Sequence, residues 1–215
     1  MQIPLIPKGE SMNTRRRFLS QAVGVSVAAA AATTLSPIVS PDTAHAADYL
    51  NAKTHDNLMD AFAGESQANR KYLTFAEQAE KEGLPGAAHL FKAVALSETL
   101  HAMHHLRAAG KVGNTMQNLQ TAMEGEIYES TKMYPEMAKA AAAEGKVKEQ
   151  EYLDWVDDVE AGHAKFYKKA MDANGKIDKV DYYLCSVCGY TSEGPHKGDC
   201  PVCGMPESEF FKFAG

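Results

Sequence analysis

The chain has 215 residues, of which 45% are hydrophobic and 23% are charged, and its formal net charge at neutral pH is -6. This length allows one substantial core together with a small additional module. A net negative charge makes the chain a poor candidate for binding nucleic acid or an anionic membrane surface, because both attract clustered positive charge.

The first 46 residues have the features of an export signal. Arg15 and Arg16 precede an Ala- and Val-rich stretch at 22–39, and the small residues at 44–46 suit a cleavage site. This order resembles a twin-arginine signal. We expect the signal to be cleaved and the mature protein, which has no expected membrane span, to be periplasmic or in the cell envelope. Retention of the signal as an anchor and translation from Met12 are the alternatives.

Four amphipathic segments predict four helices in the rest of the chain. Apolar residues recur at helical spacing, with breaks that contain glycine, over four stretches: about 49–81, 87–109, 115–144 and 147–173. Pro135 should bend or interrupt the third helix. The short connections favour an antiparallel bundle, with one long crossover connection as the alternative.

Acidic residues and histidines stand on the apolar stripes of these helices. Two Glu-x-x-His tetrads begin at Glu98 and Glu160, and the i,i+3 spacing puts each carboxylate and imidazole on one side of a turn. Glu65 lies on the stripe of the first helix, and Glu126 and Glu129 lie on the third. One tetrad alone would indicate a solvated face. The whole set, however, is typical of bundles that hold two iron or two manganese ions.

Four cysteines near the C-terminus predict a second metal site. Cys185 and Cys188 form one C-x-x-C knuckle, and Cys200 and Cys203 form another after eleven residues. This spacing favours tetrahedral sulfur ligation of iron or zinc. A zinc ribbon that only stabilises the tail is one alternative. Two disulfides are the other, because an exported protein would permit them.

From about residue 49 to the C-terminus, these motifs together resemble the rubrerythrin family. The stretch from Ala61 to Ala68, which contains Glu65, resembles the family's first ligand helix, and Gly125 to Pro135 resembles its third. The resemblance implies an all-α, four-helix ferritin-like bundle with a small C-terminal rubredoxin-like domain. The expected divisions are a signal at 1–46, a di-iron bundle at 47–173, a linker at 174–181 and a four-cysteine domain at 182–215.

The resemblance also assigns roles to individual residues. Glu65 and Glu126 would be terminal ligands, and Glu98 and Glu160 would bridge the two irons. The remaining expected ligands are His163 on one iron, His101 and Glu129 exchanging on the other, and Cys185, Cys188, Cys200 and Cys203 on a third iron, with zinc possible there. Two tyrosines, Tyr72 and Tyr134, match tyrosines near the family's centre, with ordinary core or rim positions as the alternative. His104 and His105 match no ligand and are expected at the rim.

The activity implied is that of a non-haem di-iron peroxidase, which reduces hydrogen peroxide to water with electrons delivered through the tetrathiolate iron. Glu129 marks this branch, and a ferritin-like ferroxidase with a structural zinc ribbon is the alternative. The electron-donor protein is not identifiable from the sequence. The linker should carry the cysteines away from a site about 15 Å before the end of the fourth helix, so electron transfer within one chain should be slow unless the tail folds back. We therefore expect a head-to-tail homodimer in which one chain's tail reduces the other's bundle.

Overall fold

The computed structural model describes residues 51–213. The predicted export signal lies outside the described residues. No helix within 51–213 is long and apolar enough to cross a membrane.

The first two helices form a tight antiparallel hairpin. Helix α1 covers Ala52–Lys81 and helix α2 covers Pro85–Ala108. Asn51 caps α1 by accepting a hydrogen bond from the Thr54 N–H at 2.8 Å. Small alanines are buried along the hairpin, and α1 and α2 pack closely along their length. Asn69 of α1 adds a cross-link, because its amide donates to the Ala95 carbonyl of α2 at 2.6 Å.

The third predicted helix contains a widened turn. Helix α3 covers Thr115–Tyr128, a π-helical segment follows at Glu129–Met133, and helix α4 continues at Tyr134–Ala143. Pro135 stands at the start of α4, where its missing N–H is tolerated. The prediction that this proline interrupts the helix is confirmed. Helix α5, Val147–Asp172, returns antiparallel and packs against all three parts.

The cysteines belong to a small three-stranded sheet. Strands β1 (Tyr182–Cys185), β2 (Thr191–Glu193) and β3 (Phe210–Phe213) are antiparallel in the order β2-β1-β3. A 3-10 turn at Glu207–Glu209 precedes β3.

This module folds back onto α5. Val159 of α5 is buried in one cluster with Cys185, Cys188 and Cys200, and Trp155 packs against the same cluster. The linker therefore does not carry the cysteines away from α5, and the exception allowed in the sequence analysis, a tail that folds back, is the arrangement observed. Apolar contact with the helix outweighs the freedom of the linker.

The helices are arranged as two hairpins with little contact between them. Among the described residues, α1 packs against α2 and the α3–α4 helix packs against α5, but no extensive helix packing joins the two pairs. Only Ala, Val and Cys are buried among the apolar residues of 51–213. Every larger apolar side chain in this range keeps some exposure to solvent. The sequence did not predict this separation.

Candidate metal centres

A first ligand cluster lies on the α1–α2 hairpin. Glu65 of α1 meets Glu98 and His101 of α2, and one ligand atom from each lies within 4.8 Å of the others. The His101 Nδ1 atom lies 2.9 Å from Glu98 and 4.0 Å from Glu65. The His101 side chain is 53% exposed. We call these three residues the α1–α2 cluster.

A second cluster of the same composition lies on the other hairpin. Glu126 of α3 meets Glu160 and His163 of α5, again within 4.8 Å. The His163 Nδ1 atom lies 2.6 Å from Glu160 and 3.8 Å from Glu126. We call these three residues the α3–α5 cluster. The structure thus brings six of the predicted bundle ligands together as two groups of three rather than as one group.

The carboxyl groups of the α3–α5 cluster are crowded. Burial, a hydrogen bond with Glu160 and the charge of Glu160 raise the pKa of Glu126 to about 7. Burial and the charge of Glu160 also raise the pKa of Glu129, while His163 opposes that shift. A divalent cation between these carboxylates would remove the repulsion, because an opposite charge favours the ionised form. The donor set therefore fits a metal site of hard or borderline ions.

Glu129 lies beside the α3–α5 cluster but outside its closest group of three. It opens the π-helical segment one turn after Glu126. Its interaction with Glu160 and His163 places it within electrostatic reach of the cluster. π-Helical segments occur frequently at functional sites. Its role as an exchanging ligand remains a prediction.

The two predicted tyrosines have different surroundings. Burial and the charges of Glu129 and Glu160 raise the pKa of Tyr134, so this residue lies near the α3–α5 cluster. Tyr72 instead packs in an aromatic group with Phe75 and Phe91, with ring centroids 6.3 Å from each. These ring contacts are what we expect if Tyr72 is an ordinary packing residue rather than a residue of the metal centre.

The sequence analysis did not select two residues that lie beside His163. Burial and the charges of Glu126 and Glu160 raise the pKa of Tyr167. Tyr167 stands one helical turn after His163, so its spacing was a usable signal. Thr191 lies on β2, and its hydroxyl is 3.4 Å from the His163 Nε2 atom. No local sequence signal predicts this contact, because it depends on the module folding back onto α5.

The four cysteines form a closed sulfur cluster. All four are free thiols whose sulfur atoms lie within 4.8 Å of one another. Cys185 and Cys203 are 3.7 Å apart at sulfur, and Cys188 and Cys200 are 3.6 Å apart. Metal–sulfur bonds of about 2.3 Å in a tetrahedron put the sulfurs about 3.8 Å apart. The sulfur positions therefore fit a tetrathiolate metal site, and the disulfide alternative is not adopted.

Backbone N–H groups approach these sulfurs, as expected for knuckles. Burial opposes ionisation of Cys185, but N–H groups of Cys188 and Val187 reverse this effect and lower its pKa. The thiolate form, which is the one that binds metal, is thereby favoured at Cys185, whereas burial raises the pKa of Cys188 and of Cys203.

Sequence comparisons place the chain among known proteins. A sequence model of the rubrerythrin family matches residues 56–171. Rubrerythrin-2 of Clostridium acetobutylicum is 34% identical, over 76% of this chain and 98% of that protein. The chain belongs to the rubrerythrin family. The rubrerythrin of Porphyromonas gingivalis is also 34% identical, over 74% of this chain and 89% of its own length.

Among solved structures, the partially reduced state of nigerythrin is similar to this rubrerythrin. It is 29% identical, the match covers 78% of this chain and 90% of that one, and the TM-score is 0.45. Nigerythrin of Nitratidesulfovibrio vulgaris is 32% identical over 73% of this chain and 85% of that protein.

Family membership confirms the predicted fold class and metal classes. The chain has the helices of a ferritin-like bundle followed by a small strand region with a rubredoxin-like four-cysteine cluster. As a rubrerythrin it has a di-iron carboxylate site and a rubredoxin-like iron site. The assignment of each residue to an iron remains a prediction, as do the domain boundaries.

The ligands occupy matching levels in the two hairpins of this rubrerythrin. Glu98 is the fourteenth residue of α2, and Glu160 is the fourteenth residue of α5. Glu65 is the seventeenth residue from the end of α1, and Glu126 is the eighteenth from the end of α4. The wider turns of the π-helical segment can take up the one additional residue. Both clusters therefore lie at the same distance from the turns of their hairpins.

Proposed function

We propose that this chain is a non-haem di-iron peroxidase that reduces hydrogen peroxide to water. The observation that carries the proposal is the position of the four-cysteine cluster, which packs directly on α5, the helix that provides Glu160 and His163. A one-electron sulfur site next to a two-metal carboxylate site suits a reaction that consumes two electrons for each peroxide. Two irons held by the glutamates and histidines would supply these two electrons, and an iron held by the four cysteines would supply one-electron reduction.

A short chain of contacts connects the two sites. The His163 Nε2 atom makes a long hydrogen bond of 3.4 Å to the Thr191 hydroxyl. The hydroxyl in turn donates to the Gly189 carbonyl at 3.1 Å, and Gly189 follows Cys188 directly. We infer that electrons pass along this route to the ligand helix of the same chain. Because the tail folds back onto α5, transfer within one chain need not be slow, and the head-to-tail homodimer remains a prediction.

The same contact orients His163. A Thr191 hydroxyl that donates to Gly189 presents its oxygen to Nε2, which then carries the ring proton. The Nδ1 atom, which faces Glu160 and Glu126, is left as the metal-binding nitrogen. Metal-bound histidines usually donate their other ring N–H in this way.

Protons for the two water molecules can come from groups beside the carboxylates. Tyr134, Tyr167 and Glu129 all interact electrostatically with Glu160. Reduction of one peroxide to two waters requires two protons as well as two electrons. We propose that Glu129 and the Tyr134 hydroxyl hold these protons near the cleaved bond.

The test is a single-turnover reaction of the fully reduced protein with hydrogen peroxide. We expect the visible absorption of the oxidised tetrathiolate iron to return rapidly, with one peroxide consumed for every two irons oxidised. A matched variant, Glu126→Ala with Glu160→Ala, should keep the tetrathiolate iron and lose this rapid return. Equal rates in the two proteins would show that peroxide reacts elsewhere and would refute the proposal.

The ferroxidase alternative gives no role to a sulfur cluster packed on a ligand helix, and we do not adopt it. Hydrogen peroxide and an electron-donor protein are the proposed partners.

We also propose that the protein acts in the periplasm or cell envelope, after export by the twin-arginine route. Arg15→Lys with Arg16→Lys should leave the precursor in the cytoplasm. Cell fractionation and immunoblotting measure where the variant accumulates. Unaltered export of the variant would contradict this location.

A further inference from the structure

Each hairpin presents half of a ligand set whose side chains keep some exposure to solvent. The two clusters have the same composition, two glutamates and a histidine, and neither contains a buried charged residue. Di-metal bundles use ligands from four helices, with a Glu-x-x-His pair on each of two of them. Each cluster alone therefore provides only half of a di-metal centre.

Large apolar side chains are exposed on both hairpins. Six of them are Phe75, Leu90, Leu100, Ile127, Met137 and Tyr152, with exposures between 43% and 63%. Apolar surface on this scale favours burial against a partner.

The connection between the hairpins is too short to close a ferritin-like bundle within one chain. Ferritin-like bundles use one long crossover connection, which returns along the length of a helix. Here α2 has 24 residues and is about 36 Å long. Only residues 109–114 separate α2 from α3, and six residues reach at most about 22 Å. The α1–α2 hairpin therefore cannot fold back onto the α3–α5 hairpin of its own chain in that topology.

We propose that two copies of this chain exchange hairpins and that each di-metal centre contains ligands from both. The α1–α2 cluster of one copy meets the α3–α5 cluster of the second copy, with Glu129 beside it. The matching levels of Glu98 and Glu160, each the fourteenth residue of its helix, bring the clusters together when the hairpins pack with their turns at opposite ends. A dimer then contains two complete centres, each next to the cysteine module of the copy that provides α5.

This inference rests on the di-metal centre of the proposed function but not on peroxide as the substrate. Metal counting can therefore fail or succeed separately from any peroxidase assay.

The test uses mixed dimers purified through two different affinity tags. In the first mixture, one copy has Glu65→Ala with Glu98→Ala, and the other has Glu126→Ala with Glu160→Ala. Exchange leaves one centre fully intact, so bundle iron should be about half of the wild-type amount per dimer. Without exchange, each bundle contains a defect and bundle iron should be absent.

The matched control carries all four substitutions in one copy and none in the other. Exchange now damages both centres, so bundle iron should be lost. Without exchange, the wild-type copy keeps its own centre and half of the iron remains. The two mixtures therefore predict opposite results, and half occupancy in the control would overturn the proposal. Tetrathiolate iron, which should be unchanged in both mixtures, reports that the chains are folded.

A measurement on the unaltered protein covers the case in which the variants fold poorly. Size-exclusion chromatography with metal detection should find bundle iron only in the dimer, at about two irons per chain. A wild-type monomer with two bundle irons would overturn the proposal. It would show instead that the hairpins of one chain complete the site.

Discussion

Replacing Thr191 by valine should weaken metal binding by His163 without changing the fold. Valine has nearly the same shape and is well accepted in a strand such as β2, but it removes the hydroxyl that lies 3.4 Å from Nε2. Removing the hydrogen-bond partner of a metal-bound histidine typically lowers metal affinity by about 10- to 100-fold. This bond is long and His163 is only half-buried, so water can replace part of it. A loss of about 0.5 to 1 kcal/mol is therefore expected, which corresponds to roughly two- to fivefold weaker binding.

The assay is chelator competition followed by iron content, with Thr191→Ser as the control that keeps the hydroxyl. The same variants should be compared in single turnover, where the valine protein should return electrons from the tetrathiolate iron more slowly. The serine protein should behave like the wild type in both experiments. If the valine protein also matches the wild type in affinity and in electron return, Thr191 neither orients His163 nor connects the two sites.

Three further outcomes are expected. Glu129→Ala should keep the di-metal centre but lower peroxide turnover, measured by steady-state kinetics. Glu124→Ala, at an exposed position of the same helix, should change neither property, so equal activity in both variants would exclude a role for Glu129. Trp155→Ala should loosen the cysteine module from α5 and lower the free energy of unfolding by about 2 kcal/mol, because the indole is only half-buried. Urea unfolding measures this, and an unchanged midpoint would show that the indole adds little. Metal analysis should find about three irons per chain, and zinc in the cysteine module would exclude its electron-transfer role.

The helices and the ligand groups could be predicted because they depend on local spacing. Apolar periodicity located the four helical segments to within a few residues, and the i,i+3 tetrads brought Glu98 to His101 and Glu160 to His163 as expected. Pro135 similarly indicated a local interruption, since proline lacks the N–H that a regular helix requires.

Contacts between distant parts of the chain could not be predicted in this way. The packing of the cysteine module on α5 depends on Trp155 and Val159, which look like ordinary core residues in the sequence. The separation of the hairpins depends on the length of a connection compared with the length of a helix. The glycines at 110 and 113 marked that connection as a break. They did not indicate which chain the next helix would pack against.

The π-helical segment determines which tyrosine faces the carboxylates. In a regular α-helix, residues five apart are separated by about 140° around the axis, so Tyr134 would point well away from Glu129. Here the Tyr134 N–H donates to the Glu129 carbonyl five residues earlier, and the wider turn returns the tyrosine to the same side. Deleting one residue from 130–133 would restore a regular helix in which Tyr134 follows Glu129 by four positions, about 40° around the axis. The phenol would then stay on the side of the carboxylates, so the widened turn absorbs one additional residue without rotating the helix that follows.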